Sequence, residues 1–392
     1  MFFDNVAVEF CAAHHILCLT IRFKGENPMS DTLFDPVKLG DISLSNRLLM
    51  APLTRGRTGA SRTPDDLTVE YYAQRASAGL IISEATAISE QGYGWYGAPA
   101  IYTDTHVAAW KKVTDAVHKH GGKIVLQLWH MGRLSHPSLQ KDGALPVAPS
   151  AIKPDGHTRD STGKKDYVVP RALDVAELPG IVADYVAAAR RAIDAGFDGV
   201  EIHGANGYLI DQFIRDGANQ RSDEYGGSIE NRLRFMKEVV AAVTAEVGAG
   251  KTGIRISPTN PNGGTKDSDP VKTFTAVAQA LNEYNLAYVH VMEPSPDSGK
   301  GFAGLPYVLP EIREAYKGNL IVNGGYDVKS GNAAIESGLG QAVAFGVPFI
   351  ANPDLVERFR TGAPLNTPHP ETFYGGAEEG YTDYPFLGQK AA

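Results

Sequence analysis

Short apolar runs alternate with amphipathic segments from Leu33 onward. Eight runs rich in Val, Ile, Leu and Ala are predicted as strands, at residues 47–54, 80–86, 123–129, 199–203, 252–257, 287–292, 319–323 and 342–345. Most of them are apolar throughout, which is typical of strands buried on both faces of a parallel sheet.

The segments between these runs carry apolar residues at steps of three and four. Helices are predicted at residues 105–120, 179–195, 232–247 and 271–284, with a short last one at 354–360. Eight strands separated by helices predict a (β/α)8 TIM barrel rather than an open, doubly wound sheet. No long Ser/Gly/Pro-rich linker divides the chain, which disfavours two separate α/β domains.

Three segments depart from this alternation. Residues 135–179 are polar and contain two short β-like pieces, 144–148 and 167–169; they predict a hairpin insertion after strand three that caps one barrel end. Residues 364–392 are rich in Gly, Pro and aromatic residues and are expected to wrap the barrel surface. Residues 1–30 are expected to be a disordered or loosely docked extension, and residues 31–392 one domain.

The first thirty residues do not have the pattern of a secretory signal. Asp4 and Glu9 precede the first basic residue, Arg22, whereas a signal peptide places a basic region before its apolar core. Met29 offers a second start. We therefore expect a cytoplasmic protein.

Composition and charge exclude several classes of function. No stretch of 18 uncharged apolar residues occurs in the sequence, so a membrane span is not expected. The net charge of −8 argues against nucleic acid as the main partner. Both cysteines, Cys11 and Cys18, precede the barrel, which excludes disulfides, zinc–thiolate sites and iron–sulfur clusters from it. We expect a protein that acts on a small molecule, as a monomer or homodimer.

The end of strand four carries the strongest chemical signal. His203, Asn206 and Tyr208 lie within six residues at a strand end, where barrels place their reactive groups. His203 and Asn206 fit a pair of donors for a carbonyl or nitro oxygen on which negative charge develops. Tyr208, a phenol that stays protonated at neutral pH, fits a general acid. The alternative is a satisfied core histidine beside a helix-capping asparagine.

Other strand ends add weaker signals. Gly325 and Gly346 follow strands seven and eight, where barrels build phosphate sites from backbone N–H groups, although a plain tight turn explains them as well. Arg255 ends strand five and fits a cation facing an anionic cofactor ring, or an ordinary salt bridge. The chain shows no metal-ligand spacing, so no metal is predicted. The mouths of strands two to seven contain no lysine, which disfavours Schiff-base chemistry.

The G-x-G-x-x-G run at residues 92–97 is not interpreted as a dinucleotide fingerprint. That fingerprint joins a strand directly to a helix, whereas this run follows its strand by several residues and is aromatic. We expect it to line the pocket mouth.

Several motifs resemble the Old Yellow Enzyme family of flavin-dependent ene-reductases, close to the bacterial N-ethylmaleimide reductase branch. The resemblance covers residues 33 to about 385 and rests on NRLLMAPLT at 46–54, QLWH at 127–130, EIHGANGY at 201–208, NQRSDEYGG at 219–227 and ANPDL at 351–355. It implies a TIM barrel that holds FMN non-covalently. It also implies that NADPH or NADH supplies a hydride, which flavin N5 passes to the β-carbon of an activated alkene.

The resemblance implies a role for each candidate residue. His203 and Asn206 would bind the substrate's carbonyl or nitro oxygen, and Tyr208 would protonate the α-carbon. The isoalloxazine ring would contact Pro52, Thr54, Ala85, Gln127 and Arg255, with Thr54 on the ring carbonyl and Arg255 at the N1/C2 edge. Gly325 and Gly346 would hold the phosphate, and the pocket mouth would be lined by Trp95, Trp129 and Tyr374.

Two positions distinguish this chain within the resemblance. Thr54 stands where another branch has cysteine, and the thiol-free barrel excludes the iron–sulfur dienoyl-CoA-reductase relatives. Val347 stands where the family usually has an arginine that pairs with the FMN phosphate. Losing such a contact predicts weaker FMN binding, by about 1.5–3 kcal/mol, unless another cation replaces it.

Two other functions stay compatible with the residues alone. One is a phosphate-binding barrel lyase or isomerase that uses His203 and Tyr208 for proton transfer without flavin. The other is a catalytically silent flavoprotein or binding scaffold. This alternative is suggested only by Val347, which stands where the family usually has an arginine.

Overall fold

Eight parallel strands form the centre of the molecule. The computed structural model describes residues 32–295 and 299–389 and, before them, only an antiparallel pairing of Val6–Ala7 with Arg22–Phe23. The rest of the predicted N-terminal extension lies outside the described residues. The barrel strands are β1 Leu48–Met50, β2 Leu80–Ile82, β3 Ile124–Trp129, β4 Gly199–His203, β5 Thr252–Ile256, β6 Tyr288–Met292, β7 Leu320–Asn323 and β8 Ala342–Phe345.

The sheet closes on itself. Each strand pairs in parallel with the next one along the chain, and β8 pairs with β1 through Phe345 and Met50. The predicted (β/α)8 TIM barrel is therefore confirmed. Some predicted strands are too long, however, because β1 ends at Met50 and β2 at Ile82, and Thr86–Ala87 form a separate short pairing with Leu128 and Trp129 of β3. Pro52, for example, has no N–H to extend β1.

Helices surround the barrel and connect its strands. They are α1 Asp66–Gln74, α2 Asp104–Lys119, α3 Leu178–Asp194, α4 Leu209–Ile214, α5 Ile229–Val247, α6 Pro270–Leu281, α7 Leu309–Ala315, α8 Val328–Glu336, α9 Val347–Ala351 and α10 Leu355–Thr361. The periodicity does not reveal α1, α4, α7, α8 or α9, since none exceeds 9 residues.

Capping side chains explain why some helices begin at an earlier residue than the apolar pattern predicts. The Ser228 side chain accepts the Asn231 N–H, so α5 starts at Ile229 rather than 232. Asp269 caps α6 in the same way, with Pro270 at its first position. At the other end, residues 282–284 form a turn of 3-10 helix instead of continuing α6.

The segment after β3 lies beside the mouth of the barrel. It contains an antiparallel hairpin of His157–Asp160 with Gly163–Asp166, and Val147–Ala148 pairs in parallel with Arg171–Ala172. The prediction of a strand at 167–169 is wrong. The hairpin turns at Thr162, whose N–H donates to Asp160 Oδ1, so the paired strand ends at Asp166, before residue 167. Tyr167 instead packs into an aromatic cluster with Trp129 and Tyr208.

Two arginines from the loop after β1 hold the C-terminal tail. Arg55 donates from Nε to the Phe373 carbonyl at 2.9 Å and from a terminal nitrogen to the Gly380 carbonyl at 2.7 Å. Arg57 donates to the carbonyls of Thr372 and Ala377. These contacts bring residues 372–380 over the mouth of the barrel. No helix in the described part of the chain has both the length and the apolar character needed to cross a membrane.

Candidate active site

A cavity of about 360 Å³ opens at the carboxyl ends of the strands. Every predicted site residue except Gly325 and Gly346 lines it: Pro52, Thr54, Ala85, Trp95, Gln127, Trp129, His203, Asn206, Tyr208, Arg255, Val347 and Tyr374. Leu53, Ile350 and Phe373 complete the wall. The structure thus brings together residues of β3, β4 and β5, of the loops that follow β1, β2 and β4, of α9 and of the tail.

His203, the last residue of β4, is a neutral donor. Its Nδ1 accepts the N–H of Ala205 at 3.3 Å, so the ring proton is on Nε2. Burial lowers the pKa of His203 well below its usual value, and the nearby Arg255 and His290 add to this effect. The imidazole therefore offers a donor without carrying a charge at neutral pH.

Asn206 is oriented by the loop after β5. It has a left-handed backbone (φ 57°), which asparagine tolerates better than most residues, and its N–H donates to the Ser257 hydroxyl at 2.7 Å. Its Oδ1 accepts from Asn260 Nδ2 at 3.0 Å. Since the amide oxygen is occupied, the Nδ2 amino group is left as the donor toward the cavity that Asn206 lines.

Tyr208 stands between the rings of its neighbours. It lies edge-on to Trp129, with centroids 5.0 Å apart, and edge-on to His203 at 4.8 Å. Burial raises the pKa of the phenol, and Tyr167 and Tyr374 raise it further, so Tyr208 stays protonated. Gly207 precedes it with φ 74°, and a Cβ there would lie 2.6 Å from the Asn262 carbonyl oxygen. This turn therefore requires glycine.

Buried polar side chains form the floor of the cavity. Arg255, 5% exposed, donates to Asn323 Oδ1 at 2.8 Å, while its buried Nε has no hydrogen-bond partner within the described residues. Gln127 Nε2 donates to Glu201 Oε1 at 2.7 Å. A buried donor without a partner and a fixed amide suit a polar, acceptor-bearing ring such as an isoalloxazine.

On the side of the mouth after β7 and β8, backbone groups of glycines rather than polar side chains face the surroundings. Gly325 has φ 84°, and no atom lies within 4 Å of where its Cβ would be, so open space adjoins its backbone. Gly346 precedes α9, and Val347, 44% exposed, forms the lip of the cavity. Gly325 and Gly346 lie outside the cavity lining, at a place compatible with the predicted phosphate group.

Trp95 and Tyr374 separate this cavity from a second one. Their ring centroids lie 5.6 Å apart, and both residues also line an adjoining cavity of about 520 Å³ beside Arg57 and the hairpin residues Arg159 and Asp160. The aromatic run at 92–97 therefore contributes to the pocket mouth. Within the described residues, no group of three or more His, Cys, Asp or Glu side chains is placed to hold a metal ion.

A barrel with a neutral donor pair, a protonated phenol and a buried arginine at one mouth has the architecture of a flavin-binding oxidoreductase. The chain belongs to the NADH:flavin oxidoreductase / NADH oxidase family, whose model matches residues 32–366, and within it to the Old Yellow Enzyme family.

Relatives support this assignment over nearly the whole chain. A Leishmania infantum protein named "Probable flavin mononucleotide-dependent alkene reductase" is 45% identical, covering 91% of this chain and 98% of its own length. The solved structure of morphinone reductase is 49% identical with a TM-score of 0.87, covering 91% of this chain and 97% of its own. The Old Yellow Enzyme homologue from Zymomonas mobilis is 48% identical with a TM-score of 0.87, covering 91% and 100%.

Proposed function

We propose that the protein is an NADPH- or NADH-dependent, FMN-containing ene-reductase of the N-ethylmaleimide reductase type. It reduces the activated C=C bond of α,β-unsaturated carbonyl or nitro compounds. The observation that carries the proposal is the placement of His203, Asn206 and Tyr208 in one cavity with Gln127 and Arg255. The alkene reductase named among the relatives supports the same reaction.

The residues present fit FMN. Arg255, whose Nε has no hydrogen-bond partner within the described residues, and the amide of Gln127 would hold the polar part of the ring, with Pro52, Thr54 and Ala85 lining the same cavity. The backbone N–H groups of Gly325, which adjoins open space, and of Gly346 would receive the phosphate. When bound, FMN would supply hydride transfer between the nicotinamide coenzyme and the alkene.

The donor pair would activate the substrate. His203 Nε2–H and the Asn206 Nδ2 amino group would both donate to the carbonyl or nitro oxygen, drawing electron density from the β-carbon. Because both groups are neutral and held by their own hydrogen bonds, they need no reorganisation as negative charge develops on that oxygen. Trp95, Trp129 and Tyr374 would confine the alkene and limit the access of water.

Tyr208 would complete the reaction from the other side of the double bond. Its raised pKa keeps the hydroxyl proton in place until the α-carbon acquires negative charge. The phenol would then transfer that proton to the α-carbon.

Purified protein tests the proposal directly. We expect a yellow protein whose flavin absorbance is bleached anaerobically by NADPH or NADH and restored by 2-cyclohexenone. Stopped-flow comparison of the two coenzymes gives the preference between them, and the adjoining cavity offers room for the nucleotide portion of either. A colourless protein that does not take up added FMN would contradict the proposal and favour a flavin-free lyase or isomerase.

Three further properties belong to the same proposal. We propose small-molecule alkenes as the partners, a cytoplasmic location, and a monomer or homodimer. The net charge of −8 supports the exclusion of nucleic acid as a partner.

A further inference from the structure

Glu201 is a buried carboxylate inside the barrel, below the cavity floor. It lies on β4 two residues before His203, so both side chains point to the barrel interior, and it is 0% exposed. Oε1 accepts from Gln127 Nε2 at 2.7 Å, and Oε2 lies 3.0 Å from His290 Nδ1. Burying a carboxylate is costly unless its oxygens are satisfied, and here two other strands satisfy them.

Among the described groups that interact with Glu201, Arg255 carries an opposing charge. Burial and Arg255 lower the pKa of His290 in spite of its contact with Glu201, so that imidazole is neutral. Burial also lowers the pKa of Arg255, whereas attraction to Glu201 raises it. Arg255 therefore supplies the positive charge beneath the cavity, and Glu201 offsets part of it.

We propose that Glu201 is a positioning residue of the flavin site: its carboxylate fixes the amide of Gln127, offsets the charge of Arg255, and so lowers the reduction potential of the bound FMN. This inference rests on the proposed function, because it requires FMN to lie above Gln127 and Arg255.

The hydrogen bond selects one orientation of the Gln127 amide. A side-chain amide can present either its oxygen or its amino group to a ligand, and its partners decide which. Because Nε2 is directed at Glu201, Oε1 is the atom left for a donor in the cavity. The carboxylate therefore determines which polar atom of Gln127 the flavin ring meets.

The charge has the larger consequence. Reduced flavin carries more negative charge than oxidised flavin, so Arg255 favours the reduced form and Glu201 opposes that effect. A lower potential makes the reduced flavin a better hydride donor to the alkene.

Glu201→Gln tests the proposal with little change of shape. The new amide can still accept from Gln127 and donate to His290 Nδ1. This requires only that the imidazole proton move to Nε2, which has no hydrogen-bond partner in the described part of the chain. We expect the affinity for reduced over oxidised FMN to rise about tenfold, an increase in the two-electron reduction potential of about 30 mV. The measurement is a spectroscopic redox titration of the FMN-loaded protein.

Two controls keep the negative charge. Glu201→Asp retains the carboxylate, and His290→Gln retains a donor to it, so both should change the affinity ratio less than about threefold, or about 15 mV. If the potential of Glu201→Gln is unchanged while FMN stays bound, the proposal is overturned. If the unaltered protein binds no FMN, the proposed function fails instead.

Asn323→Asp provides an independent test of opposite sign. Asn323 Oδ1 accepts from Arg255 at 2.8 Å, so this substitution adds a second carboxylate beside the same guanidinium. We expect the ratio of affinities to fall about tenfold, a decrease of about 30 mV. The substitution also removes the hydrogen bond from Asn323 Nδ2 to the Ala344 carbonyl, so it is read only in FMN-loaded, folded protein. An unchanged potential there would overturn the proposed role of charge at Arg255 even if Glu201→Gln does not fold.

Discussion

The two sides of the barrel mouth are built differently. On the side of β4 and β5, side chains present the polar atoms, and each is fixed by a partner: His203 by Ala205, and Asn206 by Asn260. On the side of β7 and β8, open space adjoins the backbone of Gly325, while a Cβ at Gly346 would lie 3.4 Å from Leu53 Cδ2. Stabilising a negative charge that develops on the substrate during the reaction needs side-chain donors of fixed orientation. Binding a phosphate, whose charge does not change, needs only exposed N–H groups.

The largest effect is expected when the proton donor on the β4 side, Tyr208, is removed. Tyr208→Phe should slow reoxidation of the reduced flavin by 2-cyclohexenone about 10²–10⁴-fold, because the α-carbon loses its general acid. Reduction of the flavin by the coenzyme should be unaffected. Stopped-flow absorbance separates the two half-reactions, and Tyr185→Phe, which removes a buried hydroxyl in α3, is the matched control. Equal slowing of both half-reactions would refute the proton-donor role.

The next largest effect is expected when the hydrogen-bond donor of Asn206 is replaced by an acceptor. Asn206→Asp preserves shape and tolerates the left-handed backbone but replaces the amino donor with an oxygen, so reduction of the enone should slow about 10²–10³-fold. Asn260→Ala removes only the partner that orients the amide and should cost about tenfold. Single-turnover rates of the two variants rank them; an equal loss in both would show that orientation matters as much as the donor itself.

A smaller effect is expected from a charged side chain on the side of the mouth that contains Gly325 and Gly346. Val347→Arg places a cation at the exposed lip near the predicted phosphate group, so FMN should bind about ten- to a hundred-fold more tightly. Fluorescence titration of the apoprotein with FMN gives the dissociation constant, and Val347→Met controls for length without charge. Unchanged affinity in Val347→Arg would show that the valine costs this protein nothing.

The smallest expected effect is that of pH on the alkene half-reaction. Because burial lowers the pKa of His203 and raises that of Tyr208, neither group changes protonation across the neutral range. The rate of reoxidation by 2-cyclohexenone should vary less than about threefold between about pH 5.5 and 9. A loss of rate with an inflection near the usual histidine pKa would contradict the neutral assignment of His203.

The sequence predicts the donor side well because its residues are contiguous. His203, Asn206 and Tyr208 follow one strand, so identifying the strand end was enough to place them together. Contacts across strands escape this reasoning: the pairing of Glu201 with Gln127 joins β4 to β3, and Asn260 orients Asn206 from the loop after β5. Phe373 and Ile350 entered the cavity wall without any local signal, since their positions depend on how the tail and α9 pack.

The tail contacts also make the order of synthesis matter. Phe373 and Tyr374, near the C-terminus, complete the wall of a cavity that begins with Pro52 and Thr54, and Arg55 holds them through the Phe373 carbonyl. A nascent chain can therefore close its barrel strands while the pocket still lacks one wall. The pocket is complete only when residues 373 and 374 have left the ribosome and reached the loop that follows the first barrel strand.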